Sequence, residues 1–440
     1  MIRIQQGIRP FKRVNLLRGG RLPLLQARPL ASRVTQAPMT LQEALRRQES
    51  QFPLKIDPKL RFNRAHSIVK NHDEPNYSGL KIGSADIDFK GRGFDDMPTR
   101  AMAVLECKTS PDQKKRSPWS PAGQMGVVSY QPLWMNPASQ VLHYGQGFFE
   151  GLKLVVNKQG DLNFFRLKDN ALRANQSAKR LLMPDMPHDL FIKSMARTVK
   201  ANLDYVPSYG AGMLYVRPFA LGVGPQMGVA PTTHYAYVIK VLPMGDYFSK
   251  LGTDSVSLIA SDALARAAGN GGTGREKIAG NYAASLKGGA VAKLMGHSEF
   301  LYIRDGFVDE AGAANLGIVK QGANGKLQLV FAESPSILPS ITRNSVATLV
   351  EQELSDQYSV EERALPLEEV LKDAIAVVLT GTAAGVVRVR EIQFNNHIYH
   401  FDGQDQVNTL KTLYEQSRSG ELPDNNGWLM SLDEALDDTH

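Results

Sequence analysis

Apolar positions along the chain change period several times, and each change marks an element. Ala171, Ala174, Ala178 and Leu181 fall at helical spacing within 169–182. Phe191, Met195 and Val199 repeat every four residues within 189–203, which predicts a second helix with Asp189 as N-cap just after Pro187. Before these, 101–107 (AMAVLEC) and 125–130 (MGVVSY) are strand-like. The stretch between them, 111–123 (PDQKKRSPWSPAG), has three prolines and a charge cluster and reads as an exposed loop. The runs 152–156 (LKLVV) and 162–166 (LNFFR) predict a hairpin around Gly160-Asp161. Strands return at 213–219 (MLYVRPF) and 235–242 (YAYVIKVL), and 243–252 (PMGDYFSKLG) breaks the pattern.

The second half repeats the mixture. Strands are expected at 255–260, 299–303, 315–319, 326–331 and 374–379, and helices at 282–295 and 343–355. The last of these presents Val346, Leu349, Val350 and Leu354 on one face, with Thr342 as N-cap. Strands and helices mix without a strict alternation, so the pattern predicts an α+β fold. The tail 421–440 has six acids and no Lys or Arg, and GWLMSLDEAL within it could dock as a short helix.

Length and charge refine this picture. A chain of 440 residues suits two domains, and 42% apolar residues exclude wholesale disorder. No apolar run reaches the roughly 18 residues of a membrane-spanning helix, so no membrane association is expected. The single cysteine, Cys107, excludes an internal disulfide framework and a cysteine-rich zinc site, and no metal is expected. The net charge of +7 is local: residues 1–42 carry eight Arg and Lys, and the first acid is Glu43. The remainder is near neutral, which does not imply a nucleic-acid surface. Arg3, Arg9, Lys12, Arg13 and Arg18 alternate with Ile4, Ile8, Phe11, Val14 and Leu17, the pattern of an organelle transit peptide over about residues 1–40. Ser32, Thr35 and Thr40 are its only hydroxyl residues, which favours the mitochondrion over the plastid.

Several catalytic motifs are missing. There is no G-x-x-x-x-G-K-[ST] loop, no G-x-S-x-G elbow and no H-E-x-x-H. The glycine clusters 145–151 (GQGFFEG) and 222–228 (GVGPQMG) do not give a dinucleotide fingerprint. What stands out is polar residues in apolar or glycine-rich surroundings. Tyr215 and Arg217 lie inside MLYVRPF, Lys277 between GNGGTG and GNYAAS, and Glu310 in VDEAGAAN. Thr380-Gly381-Thr382-Ala383-Ala384 follows the apolar AIAVVL, and a strand ending in small and hydroxyl residues offers free N–H groups to an anion. The helix start at Thr342 offers the same.

Seven strings carry a resemblance: YGQGFFEGLK (144–153), FRLKDNALR (165–173), LYVRP (214–218), GGTGREKIAGNYAAS (271–285), DEAGAANL (309–316), LPSITR (338–343) and TGTAAG (380–385). They resemble, in order over roughly 85–418, the branched-chain aminotransferases, pyridoxal-phosphate enzymes of the class that includes D-amino-acid aminotransferases. YGQG and GGTG look closest to plant-type eukaryotic members. The resemblance implies two α+β domains of the class IV fold with pyridoxal 5'-phosphate between them. On this chain they would be a small domain at 75–242, a linker at 243–252, a large cofactor-binding domain at 253–420 and the acidic tail at 421–440.

By position, the resemblance implies that Lys277 is the Schiff-base lysine, Glu310 faces the pyridine nitrogen and Tyr282 the phenolic oxygen. Arg173 would clamp the phosphate, completed by the N–H groups of Ile341 and Thr342 and by Thr382. Phe149 and Tyr144 match apolar-wall residues, Tyr144 reaching in from the second subunit of a homodimer. Tyr215 and Arg217 match the groups that hold carboxylate, and Thr382 and Ala383 the donors to the α-carboxylate. The implied reaction moves an amino group between leucine, isoleucine or valine and 2-oxoglutarate, giving glutamate. A lyase of the same fold acting on aminodeoxychorismate, and a cofactor-binding homologue without turnover, are the alternatives. Two departures stand out: the C-x-x-C pair of animal members is here Ala384 to Val387, and the aromatic often found two residues after the asparagine is here Gly317.

Overall fold

Two nine-stranded sheets organise the chain, both within the unit Ser50–His440. The computed structural model describes residues 54–63, 66–89, 92–122, 126–245 and 254–437. The expected transit peptide therefore lies outside the described residues, as do 246–252 of the expected linker.

The first sheet is antiparallel throughout. Its order runs Leu429–Ser431, Leu162–Phe165, Leu152–Val156, Met213–Gly222, His234–Met244, Ala101–Lys108, Ser120–Pro121, with Val127–Ser129 and Gly147–Phe149 as side branches. The hairpin around Gly160 forms as its sequence predicts, with φ of +92° at the glycine, a conformation that costs an L side chain steric strain. Helices Leu167–Arg180 and His188–Lys200 cover one face through Ala171, Ala174, Ala178, Phe191, Met195 and Val199. The second sheet mixes parallel and antiparallel pairs, in the order Phe307–Ala311, Glu299–Arg304, Ser255–Ser261, Gly385–Phe394, Ala374–Gly381, Asn315–Gln321, Leu327–Ala332, Tyr358–Arg363. Helices Ile341–Glu353 and Gln404–Ser419 pack on it through Val346, Val350, Val407 and Leu410.

Several expectations need correction. The stretch 111–123 is not simply exposed: Arg116, Ser117 and Trp119 are buried, and Trp119 Nε1 donates to the Asp185 carbonyl at 2.8 Å. Pro187, not Asp189, is the N-cap of its helix; Asp189 sits in the first turn, where its charge suits the helix dipole. Ser340, not Thr342, caps the helix Ile341–Glu353, its Oγ accepting from the Arg343 N–H at 3.2 Å. The helix expected at 282–295 is two, Ala279–Ala283 and Ser285–Leu294. The break expected from residue 243 starts later, because Pro243 and Met244 still pair with Leu214 and Met213. The tail does dock: Ser431 and Glu434 form a capping box for helix Leu432–Leu436, and Leu432 and Ala435 enter the first core.

Candidate active site

The two sheets meet along a seam built by main-chain contacts. The Phe149 N–H donates to the Lys277 carbonyl at 3.1 Å, and Phe148 bridges Ile278. From the helix Leu167–Arg180, Ser177 Oγ accepts from the Lys277 N–H at 3.0 Å. The glycine-rich loop 269–274 has G-x-G-x-x-G spacing, but it leads into this seam instead of a nucleotide-binding helix. An added Cβ at Gly274 would lie 2.2 Å from the Ser336 carbonyl oxygen, so only glycine lets the loop pass.

Lys277 Nζ donates to Tyr282 Oη at 3.1 Å and lies 4.9 Å from the centroid of the Phe149 ring. Phe149 also stacks at 4.8 Å on Tyr282, and the Arg217 guanidinium lies 4.5 Å from it on the neighbouring strand. Arg217 Nη2 donates to Tyr215 Oη at 3.1 Å. Five expected residues thus form one connected group: Lys277, Tyr282, Phe149, Arg217 and Tyr215.

Arg173 and Glu310 join the same seam through consecutive residues. Arg173 Nη1 donates to the Pro339 carbonyl at 3.1 Å, and Glu310 Oε2 accepts from the Leu338 N–H at 3.2 Å. Ile341 and Thr342 begin the helix two residues further on. The Thr342 side chain is buried. Burial pushes the Glu310 carboxyl up to about 7, although the Arg266 guanidinium, paired with it, pulls the other way. Desolvation wins because both partners are almost fully buried.

Thr382 and Ala383 form the turn between Ala374–Gly381 and Gly385–Phe394. Ala383 lines a cavity of about 550 Å³ together with Lys153, Tyr209, Tyr414 and Arg418; Lys277 does not line it. Nearby, the buried Thr380 Oγ1 has no protein partner. Tyr144 is not part of the group: it is 47% exposed and donates to the Met227 carbonyl at 2.8 Å.

Sequence reasoning missed four residues. Glu150 is fully buried and grips Arg173 with two bonds, Nε to Oε1 at 2.8 Å and Nη2 to Oε2 at 2.7 Å. Arg266 donates to the Ser336 carbonyl at 3.0 Å besides pairing with Glu310. Lys153 is buried, in register with Tyr215 on the adjacent strand. Phe94, ahead of strand Ala101–Lys108, meets the Tyr215 ring edge-on at 5.2 Å. The signal for Glu150 was visible as an acid inside the apolar, glycine-flanked FFEG; the others carry none in a single sequence. The missing aromatic at Gly317 is also explained. Phe331, opposite it in register, occupies that space, 2.5 Å from where a Cβ would stand.

The profile of the class IV amino-transferases matches residues 147–392. The chain is 35% identical over 354 residues to branched-chain amino acid aminotransferase 2, chloroplastic, of Humulus lupulus, covering 79% of this chain and 82% of that one. It is 34% identical over 378 residues to branched-chain-amino-acid aminotransferase 1, mitochondrial, of Arabidopsis thaliana, covering 84% and 92%. Among solved structures, the Escherichia coli branched-chain amino acid aminotransferase superposes with a TM-score of 0.61 at 26% identity, covering 70% of this chain and 96% of that one. The chain belongs to the branched-chain amino-acid aminotransferases, pyridoxal-phosphate-dependent enzymes of class IV.

The residues present fit that cofactor. A phosphate needs a fixed cation and free donors, a pyridine nitrogen a carboxylate, and a carbonyl carbon an amine. Arg173, Glu310 and Lys277 are groups of these kinds along one seam, and the partnerless Thr380 Oγ1 lies two residues before Thr382.

Proposed function

We propose that the protein exchanges the amino group between leucine, isoleucine or valine and 2-oxoglutarate, with pyridoxal 5'-phosphate held by Lys277. The observation that carries this is the amine–phenol pair of Lys277 and Tyr282 under the Phe149 ring, with Arg217 on the ring's other neighbour strand. The bound cofactor supplies an electron-accepting ring. Lys277 Nζ takes and returns the proton at the substrate α-carbon, and Tyr282 orients it. Glu310 sets the charge at the ring nitrogen; Arg173, the N–H groups of Ile341 and Thr342, and Thr382 hold the phosphate. Thr382 and Ala383 offer N–H groups to the α-carboxylate. Phe149 gives aliphatic side chains an apolar wall, while Arg217 with Tyr215 receives the second carboxylate of glutamate. One pocket can serve both substrates because the wall and the cation lie side by side.

Tyr144 serves the site of a second subunit in a homodimer. In support, Leu142, Val229 and Met227, whose carbonyl accepts from Tyr144, are exposed apolar residues suited to contact with a second copy. We read two domains, 75–242 and 253–420 joined at 243–252, each around one sheet, although Pro243, Met244 and Leu429–Ser431 also belong to the first sheet; residues 1–40 address the protein to the mitochondrion. Purified protein given leucine and 2-oxoglutarate should form glutamate and the matching branched oxo acid. No glutamate from any of the three amino acids would overturn the reading.

A further inference from the structure

The C-terminal tail and the first turn of the helix Ile341–Glu353 meet on one side chain, Arg166. Its backbone is left-handed, with φ of +57°, directly before the helix Leu167–Arg180 that carries Arg173. For a residue other than glycine that conformation is strained and persists only when its surroundings fix it. They do so at every polar atom the contacts name. The Arg166 N–H donates to the Trp428 carbonyl at 2.6 Å, and its guanidinium lies 4.6 Å from the Trp428 ring centroid. Nε donates to Asp169 Oδ2 at 2.6 Å. Nη1 donates to Asn344 Oδ1 at 2.7 Å, Ser345 Oγ at 2.9 Å and the Ile341 carbonyl at 3.4 Å.

Two turns further along the same helix, Arg173 reaches the Pro339 carbonyl. The helix is therefore tied twice to the start of Ile341–Glu353, once on each side of the Ile341 and Thr342 amides. We propose that Arg166, clamped by Trp428 of the tail, is a positioning residue for the cofactor phosphate. It sets the spacing between the Arg173 guanidinium and those two amides. The inference rests on the cofactor reading above and extends it to a tail that otherwise has no part in the site. A planar fork is needed here, since one guanidinium meets a carboxylate, an amide, a hydroxyl and a ring at once.

The test compares binding of pyridoxal phosphate with binding of pyridoxal, which lacks the phosphate, to cofactor-free protein by calorimetry. Arg173→Ala should weaken the phosphorylated ligand alone. Arg166→Met should do the same by roughly 10- to 100-fold, the scale of a misplaced charge-assisted contact. Arg166→Lys and Trp428→Ala should move in the same direction, so the test survives if Arg166→Met does not fold. If Arg173→Ala leaves the ratio of the two affinities unchanged, the phosphate reading itself fails. If Arg173→Ala changes the ratio while the Arg166 and Trp428 variants do not, or weaken both ligands equally, Arg166 is only structural and the inference is wrong.

Discussion

Glu310 is a carboxylate sealed between Arg266 and a loop amide, and its burial has a measurable consequence. Its folded pKa, about 7, lies above the ordinary 4.5. A raised carboxyl stabilises the fold fully below the unfolded value, and that contribution is lost as pH rises through the folded value. Cofactor-free wild type should therefore lose thermal stability relative to Glu310→Gln between about pH 5 and 8. Parallel melting curves across that range would contradict the burial argument. In the loaded enzyme the same variant should slow the step from amino acid to oxo acid in single-turnover measurements, because glutamine cannot hold a charged ring nitrogen. Lys277→Ala should lower turnover by at least roughly 10²–10⁴-fold, the share of proton transfer alone; a rate near wild type would move the role to another lysine. Glu150→Ala strands Arg173 in the interior and should cost about 3–5 kcal/mol, read from denaturant unfolding. At this scale the motif strings placed Lys277, Tyr282, Phe149, Tyr215 and Arg217 well enough to find them in contact. They could not show Glu150 as the partner of Arg173, since the two are 23 positions apart and a buried ion pair leaves no local periodicity.

Among elements, the regular ones were legible and their ends were not. Helix Leu167–Arg180 and the hairpin before it follow from apolar spacing and a turn glycine. Helix starts were misplaced because several residue types compete for the cap, and geometry alone selects Ser340 over Thr342. The stretch 111–123 looked exposed because its prolines and charges outweigh its one tryptophan. The acceptor that buries Trp119, the Asp185 carbonyl, comes from the connection between helices Leu167–Arg180 and His188–Lys200, far along the sequence. Strand Gly385–Phe394, central to the second sheet, is not among the expected strands, although Val387, Val389, Ile392 and Phe394 alternate with polar residues over part of it. The glycine-rich loop offers the sharpest test at this level. In Gly274→Ala the new methyl meets backbone, not a movable side chain, so the loop bearing Lys277 must shift. Activity should fall by roughly 100-fold, the effect of about 1 Å of misplacement, while far-ultraviolet circular dichroism stays native. Full activity would show that the loop has slack.

For the whole molecule, the α+β class and the family were both within reach of the sequence, the first by pattern and the second by resemblance. The proposed homodimer rests on resemblance, because in one dimension a face for a second copy looks like any exposed apolar residue. Sedimentation of the purified protein should give twice the chain mass, and Tyr144→Ala should lower activity without lowering affinity for the cofactor. A monomer with full activity would remove Tyr144 from the site. Fusing residues 1–42 to a fluorescent reporter should send it to mitochondria, given eight basic residues and no acid. A plastid signal in a plant cell would reverse that assignment.

The pairing of Leu429–Ser431 with Leu162–Phe165 also fixes when the protein can finish folding. More than half of this sequence lies between these two strands, so the first sheet can close only long after Leu162–Phe165 has been made. Until then Leu162–Phe165 is an open edge, ending in the phenylalanine pair Phe164 and Phe165 that the fold buries, able to pair with another nascent chain. Leu429–Ser431 therefore acts as a late seal on the first sheet, and a chain terminated just before Trp428 should accumulate as aggregate although it still carries Lys277, Tyr282 and Glu310.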